Sequence, residues 1–488
     1  MWTRSLAALS LVAIVSIHPL AGAPAAIPST DEAITHALNR LTFGPRAGEV
    51  ARVKAMGLHN WIDQQLKPSR IDDAALTARL ARLETLTLDS QTIQREYSGP
   101  AMVARRERQR TNPDSEPMDQ DMRPPSQPEA ATARSGRRSL EPRRAEVEKN
   151  RQVIADIEEA KLLRALYSER QLQEVLVDFW FNHFNVFAGK GATRNYLTEY
   201  EREAIRPYVL GNFRDMLEAT AKSPAMLFYL DNWQNVSAEG TRTQRGINEN
   251  YARELMELHT LGVDGGYTQT DIVNVARALT GWTIRPREGS GTQYVKRLHD
   301  DKGKTVLGQT LKAGGGENDI ERVLDILAAQ PATARHIATK LATRFVSDTP
   351  PPSLVDRAAA RFTATKGDLR EVVRTIVTSP EFFAADAYRV KVKTPLDFVA
   401  SALRATGAEI RSALPLARQL RDMGMPLYFC QPPTGYDDTA ATWVSAGALV
   451  SRMNFAVALG KNEIRGVRIA NPPADLDKEI GSPAFQRQ

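Results

Sequence analysis

The stretch Asn248-Glu249-Asn250-Tyr251-Ala252-Arg253-Glu254-Leu255-Met256-Glu257-Leu258-His259-Thr260-Leu261-Gly262 gathers more chemically capable groups than any other part of this chain. It reads as a short helix stopped by a glycine. At about 100° per residue, Asn250, Arg253, Glu254 and Glu257 fall within about 100° of one another, beside an apolar stripe of Tyr251, Leu255 and Leu258. Two carboxylates one turn apart can serve as general acid and base, or bind a divalent cation through oxygen. Arg253 beside them would hold an anionic group. His259 lies roughly 140–160° from both glutamates, so on a regular helix it cannot share a metal with them. A structural account of the same residues stays open: Arg253 pairs with Glu257 at i,i+4, Glu254 is solvated, and His259 suits the helix C-terminus.

The second polar cluster sits among aromatic residues, in Asp178-Phe179-Trp180-Phe181-Asn182-His183-Phe184-Asn185-Val186-Phe187. Its aromatics point all round a helix, so the segment should be buried. Burying Asp178, Asn182, His183 and Asn185 there is costly unless each is hydrogen-bonded. Such polar groups either line a site or satisfy one another inside a core. In the functional reading, His183 faces Glu254 and Glu257 as a proton shuttle or as a third metal ligand. Asp178 and Asn182, four residues apart, share a face toward substrate. Asp231-Asn232-Trp233 would add amides and an indole suited to a sugar, although such residues also cap helices.

These groups must be held by helices. Ser29-Thr30-Asp31-Glu32 is a helix start, and further helices are expected at 47–56 and 58–66. Helical spacing resumes from about Ala145 to Tyr167. It recurs at 171–187, 196–208, 212–221, 248–261, 269–280, 317–329, 331–346, 353–364, 367–378, 393–406 and 441–459. Thr268 to Asp271 has a capping-box pattern. Strand-like alternation is scarce, with at most a short β-hairpin near 292–310 that turns at His299–Lys304. The expected fold is therefore all-α. Its divisions are N-terminal helical hairpins at 26–97, a central core with the candidate site at 146–290, a C-terminal helical region at 291–470 and a flexible tail at 471–488. Between them, residues 98–145 are rich in Arg, Pro, Ser, Gln and Glu, and read as a disordered insertion that could dock on a partner protein.

Residues 1–25 have the form of a secretory signal, with Arg4 before an apolar run too short to anchor and Ala23-Pro24-Ala25 at the cut. This predicts export by the general secretory route to the periplasm or beyond, with no transmembrane segment after cleavage. Removing Arg4 takes the formal net charge from +6 to +5, a mild excess that does not indicate a nucleic-acid binder. Cys430 is the only cysteine, which excludes an internal disulfide and cysteine-based zinc sites. The chain has no Cys-x-x-Cys-His for c-type haem. Gly314-Gly315-Gly316 lacks the Lys-Ser/Thr of a nucleotide-binding P-loop. A divalent metal at Glu254, Glu257 and His183 remains open.

Several of these segments together resemble an uncharacterised family of exported bacterial proteins, domain of unknown function 1800. The matching text is His36-Ala37-Leu38-Asn39-Arg40-Leu41-Thr42-Phe43-Gly44-Pro45, Phe179 to Phe184, Asn248 to Gly262 and Gly265-Gly266-Tyr267-Thr268-Gln269. It continues with Ala278-Leu279-Thr280-Gly281-Trp282, Lys304-Thr305-Val306-Leu307-Gly308 and Lys393-Thr394-Pro395. The resemblance implies a largely helical exported protein and brings no activity with it. A weaker likeness of 367–382 to a helical segment of large secreted cytochrome-bearing proteins suggests only a shared module. The functional expectation from the residues is a hydrolase-like enzyme on an envelope or extracellular polymer. The alternatives are a non-catalytic envelope scaffold or binding protein, and a partner of another secreted enzyme.

Overall fold

The computed structural model describes residues 27–98, 137–237, 246–286 and 291–488. The leader expected at 1–25 and residues 99–136 of the expected insertion lie outside the described residues. The described residues are mostly helical, with long connecting loops and three two-stranded antiparallel ribbons.

The helix starts follow local capping chemistry. Thr30 accepts from the Ala33 amide at 3.2 Å and opens Asp31–Leu41. Thr268 and Asp271 form a reciprocal capping box at the head of Gln269–Ala278, and Thr394 with Asp397 does the same for Pro395–Thr406. Each cap satisfies backbone amides that the first turn leaves unpaired. The long helix is Arg137–Tyr167, beginning upstream of the expected Ala145.

Three local readings differ from the pattern. Helix Gln171–His183 stops short of residue 187, because the chain turns at Phe184 (φ −100°, ψ 51°). There the Asn185 amide donates to the carbonyls of Cys430 and Pro432 at 2.9 and 2.8 Å, and the Ala188 amide donates to Tyr428 O. Helix Asn250–Glu257 ends before Gly262 for a related reason. The Thr260 hydroxyl donates to Leu255 O at 2.7 Å, and the His259 amide reaches back to Glu254 O, widening the last turn. The ribbon Lys304–Val306/Gln309–Leu311 turns at Leu307-Gly308, both at positive φ, rather than at 299–304. That is the backbone a two-residue hairpin requires.

One contiguous hydrophobic core runs from Ala33 to Ile480. Early and late segments are stitched together inside it. A Cβ on Gly44 (φ +96°) would lie 2.6 Å from the Ser401 Cβ, so only glycine admits this approach. Arg404 then donates to Gly44 O at 2.6 Å and Leu166 O at 3.1 Å. Arg344 and Asp397 form a buried two-pronged pair at 3.0 and 3.1 Å. The tail expected to fray is docked. Gln488 exchanges backbone hydrogen bonds with Lys391, and Arg452 donates to Gln486 Oε1 at 2.8 Å. No helix among the described residues is long and apolar enough to cross a membrane.

Candidate functional site

The acidic face of helix Asn250–Glu257 is held in a surface network. Arg253 lies 3.4 Å from both Glu249 and Glu257, and donates to Gln269 Oε1 at 3.1 Å. Its side chain is 39% exposed, which places these pairs among the weak, solvent-screened kind. Glu254 is half-buried. Burial first, then the neighbouring Glu257, raises its carboxyl above the usual range, with Arg253 opposing. Among the described residues, no hydrogen bond or ion pair joins either glutamate to His183. Nor does any group of three or more His, Cys, Asp or Glu side chains there take a metal-holding arrangement. Glu254, Glu257 and His183 are therefore not brought together as one ligand set.

Helix Gln171–His183 divides its polar residues between two tasks. Asp178 pairs with Lys161 at 2.7 Å. It borders a buried charge network in which Arg206 bridges Glu174 and Glu201 at 2.7 and 3.2 Å, and Tyr428 donates to Glu201 at 2.6 Å. Glu201 is held down to about 2 even though burial pushes it up, because Arg206, Lys161 and Arg164 surround it. Asn182 clamps the 430s segment, donating to Tyr436 O and accepting from Tyr436 N, both at 2.7 Å. A Cβ at Gly435 (φ +73°) would collide with Asn182 O at 2.3 Å, so the segment presses directly on the helix.

The corner at 231–235 is likewise built from amides. Asn232 is fully buried, donating to Leu279 O and Trp282 O at 3.2 Å and accepting from Asn235 at 3.1 Å. Asp231, in the left-handed region at φ 62°, pairs with Lys190 at 2.8 Å. Trp233 stacks on Phe228 at 5.8 Å, and its buried indole N–H has no hydrogen-bond partner. Of this trio only Asp231 and Trp233 retain partial exposure for a ligand.

His183 leads somewhere the sequence did not indicate. Its Nε2 donates to His259 O at 3.2 Å, which leaves Nδ1 as a buried acceptor without a partner. The His183 ring lies 6.2 Å from His259 and 6.1 Å from His336. His336 Nε2 donates to Leu258 O at 3.2 Å, and His259 Nε2 is buried and unpartnered. Gly262 (φ +84°) makes room here, since a Cβ would sit 3.1 Å from His336 Nδ1. Burial, then Lys340, pushes His259 down to about 3 and His336 to about 4; the same two causes take His183 well below its ordinary value. All three rings are neutral near pH 7.

Lys340, one turn beyond His336 on helix Pro331–Phe345, faces these rings. Its amine makes no hydrogen bond or ion pair among the described residues. Burial pulls its pKa down, opposed by Asp438 and Asp437. Asp438 is shifted the other way, raised by burial against Arg344, Lys340 and Lys391. A second perturbed lysine, Lys393, is lowered by burial to about 7. Its amine is sealed in, bonded to Ser401 at 3.0 Å and 3.9 Å from the centre of the Phe485 ring. Lys340 is thus an unbonded, half-buried amine between neutral imidazoles and an acid biased toward its protonated form. Groups displaced from their ordinary pKa in one place are the usual marker of acid–base chemistry. Sequence reading missed His336, Lys340 and Asp438. The signal available was the four-residue spacing of His336, Lys340 and Arg344, which aligns them on one helical stripe.

The fold and this junction define a mostly α-helical protein built on one large hydrophobic core, with a small satellite cluster at Ile93, Tyr97 and Val153. The family model described as "Protein of unknown function (DUF1800)" matches residues 36–487, and the chain belongs to that family. Neither the curated proteins nor the solved structures gave a match.

Proposed function

We propose that this protein is exported and works as a hydrolase-like enzyme on an envelope or extracellular polymer, through acid–base chemistry at the Lys340 junction. The observation that carries the reading is the unbonded Lys340 amine beside His183, His259 and His336. The Lys340 amine, whose pKa burial lowers, can exchange a proton with a reacting group. The Asp438 carboxyl, raised by burial, can serve as its acid–base partner, and the unpartnered Nδ1 of His183 can accept a hydrogen bond from the reacting group. Glu254, with its carboxyl raised above the usual range, is a second acid, on the helix that leads into His259. Asp231, Trp233 and Arg253 would contact the chain of the polymer. Leaving an amine and two ring nitrogens without partners lowers stability, and a functional role accounts for retaining them.

The second reading is a non-catalytic envelope scaffold or binding protein. It is favoured by Asn182, Asn185, Asn232 and Asp178, whose polar atoms hold the protein's own backbone and ion pairs. One experiment separates the two. Wild type, Lys340→Met and Glu254→Gln/Glu257→Gln are compared for unfolding midpoint at pH 8 and for turnover of envelope glycans and peptides. The enzyme reading expects Lys340→Met to be at least as stable as wild type and to lose turnover. A destabilised Lys340→Met, with no turnover by the wild type, would replace it with the scaffold.

A further inference from the structure

A concavity outside the junction described above has a volume of about 620 Å³. It lies where the Ala74–Leu80, Arg137–Tyr167 and Pro395–Thr406 helices meet the turn after Gly407. Four arginines line it, Arg46, Arg79, Arg404 and Arg411, against one acid, Glu409. Two of the four have structural work. Arg46 pairs with Glu169 at 2.5 Å and Arg404 with Glu49 at 3.2 Å. Neither Arg79 nor Arg411 makes a side-chain hydrogen bond or ion pair among the described residues, and both are exposed. The Arg79 guanidinium sits over the Tyr167 ring, 4.1 Å from its centre, and both residues line the cavity. Tyr167 also sets the opposite wall. Its hydroxyl accepts from the Ile410 amide at 3.0 Å and donates to Ala408 O at 3.4 Å, pinning the turn that presents Arg411.

We infer that this cavity is a binding site for an organic phosphate monoester, with the phosphoryl group between Arg79 and Arg411 and the organic body against Tyr167, Leu403 and Ile410. The donor geometry favours this class. Arg79 and Arg411 carry two positive charges without ion partners against the one acid, Glu409, and the three oxygens of a phosphoryl group can pair with both guanidiniums at once where a carboxylate has only two. Planar guanidiniums match phosphate oxygens two at a time, which lysines cannot do. Arg46 and Arg404, already paired with Glu169 and Glu49, complete the lining. The apolar lining distinguishes a monoester with an organic body from inorganic phosphate. The site is independent of the acid–base reading of Lys340.

The test is calorimetric titration of the full chain with phenyl phosphate, inorganic phosphate and benzoate. Wild type should bind phenyl phosphate at least tenfold more tightly than either of the others. Arg79→Gln/Arg411→Gln should weaken phenyl phosphate at least tenfold with little change in the unfolding midpoint, since neither guanidinium makes a hydrogen bond or ion pair among the described residues and Arg79 gives up only its exposed contact with the Tyr167 ring. If the double variant does not fold, Arg411→Gln alone carries the test, with a several-fold loss expected. Arg297→Gln/Arg389→Gln removes the same charge from outside the cavity and should leave binding unchanged. Failure of wild type to bind phenyl phosphate, or equal weakening by the control variant, would overturn the inference.

Discussion

Mild acid should destabilise this protein through its buried histidines, and one of them can be made to report it. His259 is pushed down to about 3 by burial and then by Lys340 and His336; burial also takes His36 and His336 to about 4. In the unfolded chain each titrates near 6.5, so between the folded and unfolded values the unfolded state binds more protons. Stability from these groups is therefore complete above about pH 6.5 and falls as pH drops through the window toward 4. At pH 5 the loss is about 2 kcal/mol per histidine, or roughly 6 kcal/mol for the three. Glu158 acts in the opposite sense. Burial raises it to about 7, so it gains protons on folding and returns about 2 kcal/mol over the same range. Asp156, Glu254 and Asp438, also raised, act in the direction of Glu158.

Because these contributions overlap, the sharp quantity is a difference between two proteins. His259→Phe keeps the ring against Phe184 and His183 and removes a buried nitrogen that has no partner. Urea unfolding of wild type and variant at pH 7.5 and pH 5.0 gives four free energies. At pH 7.5 the variant should match or exceed wild type. On going to pH 5.0 it should lose about 2 kcal/mol less, since one titrating group is gone. An identical pH dependence in the two proteins would refute the burial argument for the histidine cluster.

Two further substitutions probe how the junction is held. Asn185→Ala removes both amide bonds to Cys430 O and Pro432 O and leaves those carbonyls unsatisfied; a loss of about 2–3 kcal/mol is expected. Limited proteolysis should then show a cut within 430–439 that wild type lacks, and an unchanged cleavage pattern would contradict the clamp. Gly44→Ala forces a side chain into positive φ and against Ser401, so it should cost roughly 3 kcal/mol or more. A variant with a wild-type unfolding midpoint would show that helix Pro395–Thr406 does not press there.

The helices were legible because their signals are local. Thr30, Thr268 and Thr394 announce starts through their own neighbours, and the apolar stripes between them follow one period. Where a helix ended was less legible. His183 terminates its helix because Asn185 is taken up by Cys430 and Pro432, and Gly262 reads as a helix stop although it serves to admit His336. The site divided in the same way. The sequence marked His183 as a polar group needing a reason, but its surroundings come from helix Pro331–Phe345 and from Asp438 in a turn without periodicity. Glu254 and Glu257 stood out by spacing alone, and spacing does not show that Arg253 and Gln269 already occupy that face. The tail beyond Asn471 looked unattached because its anchors, Lys391 and Arg452, are pairings no local pattern reveals.

The central claim is that Lys340 carries a solvent-reachable amine with a depressed pKa. It is tested by brief acetylation of the native protein across pH 6–10, with each lysine followed by peptide mass spectrometry. Lys54 and Lys461, both exposed, give the reference profile. The account predicts that Lys340 becomes reactive at distinctly lower pH than these two, while sealed Lys393 stays protected. Lys340 tracking the exposed lysines, or remaining unlabelled throughout, would contradict it.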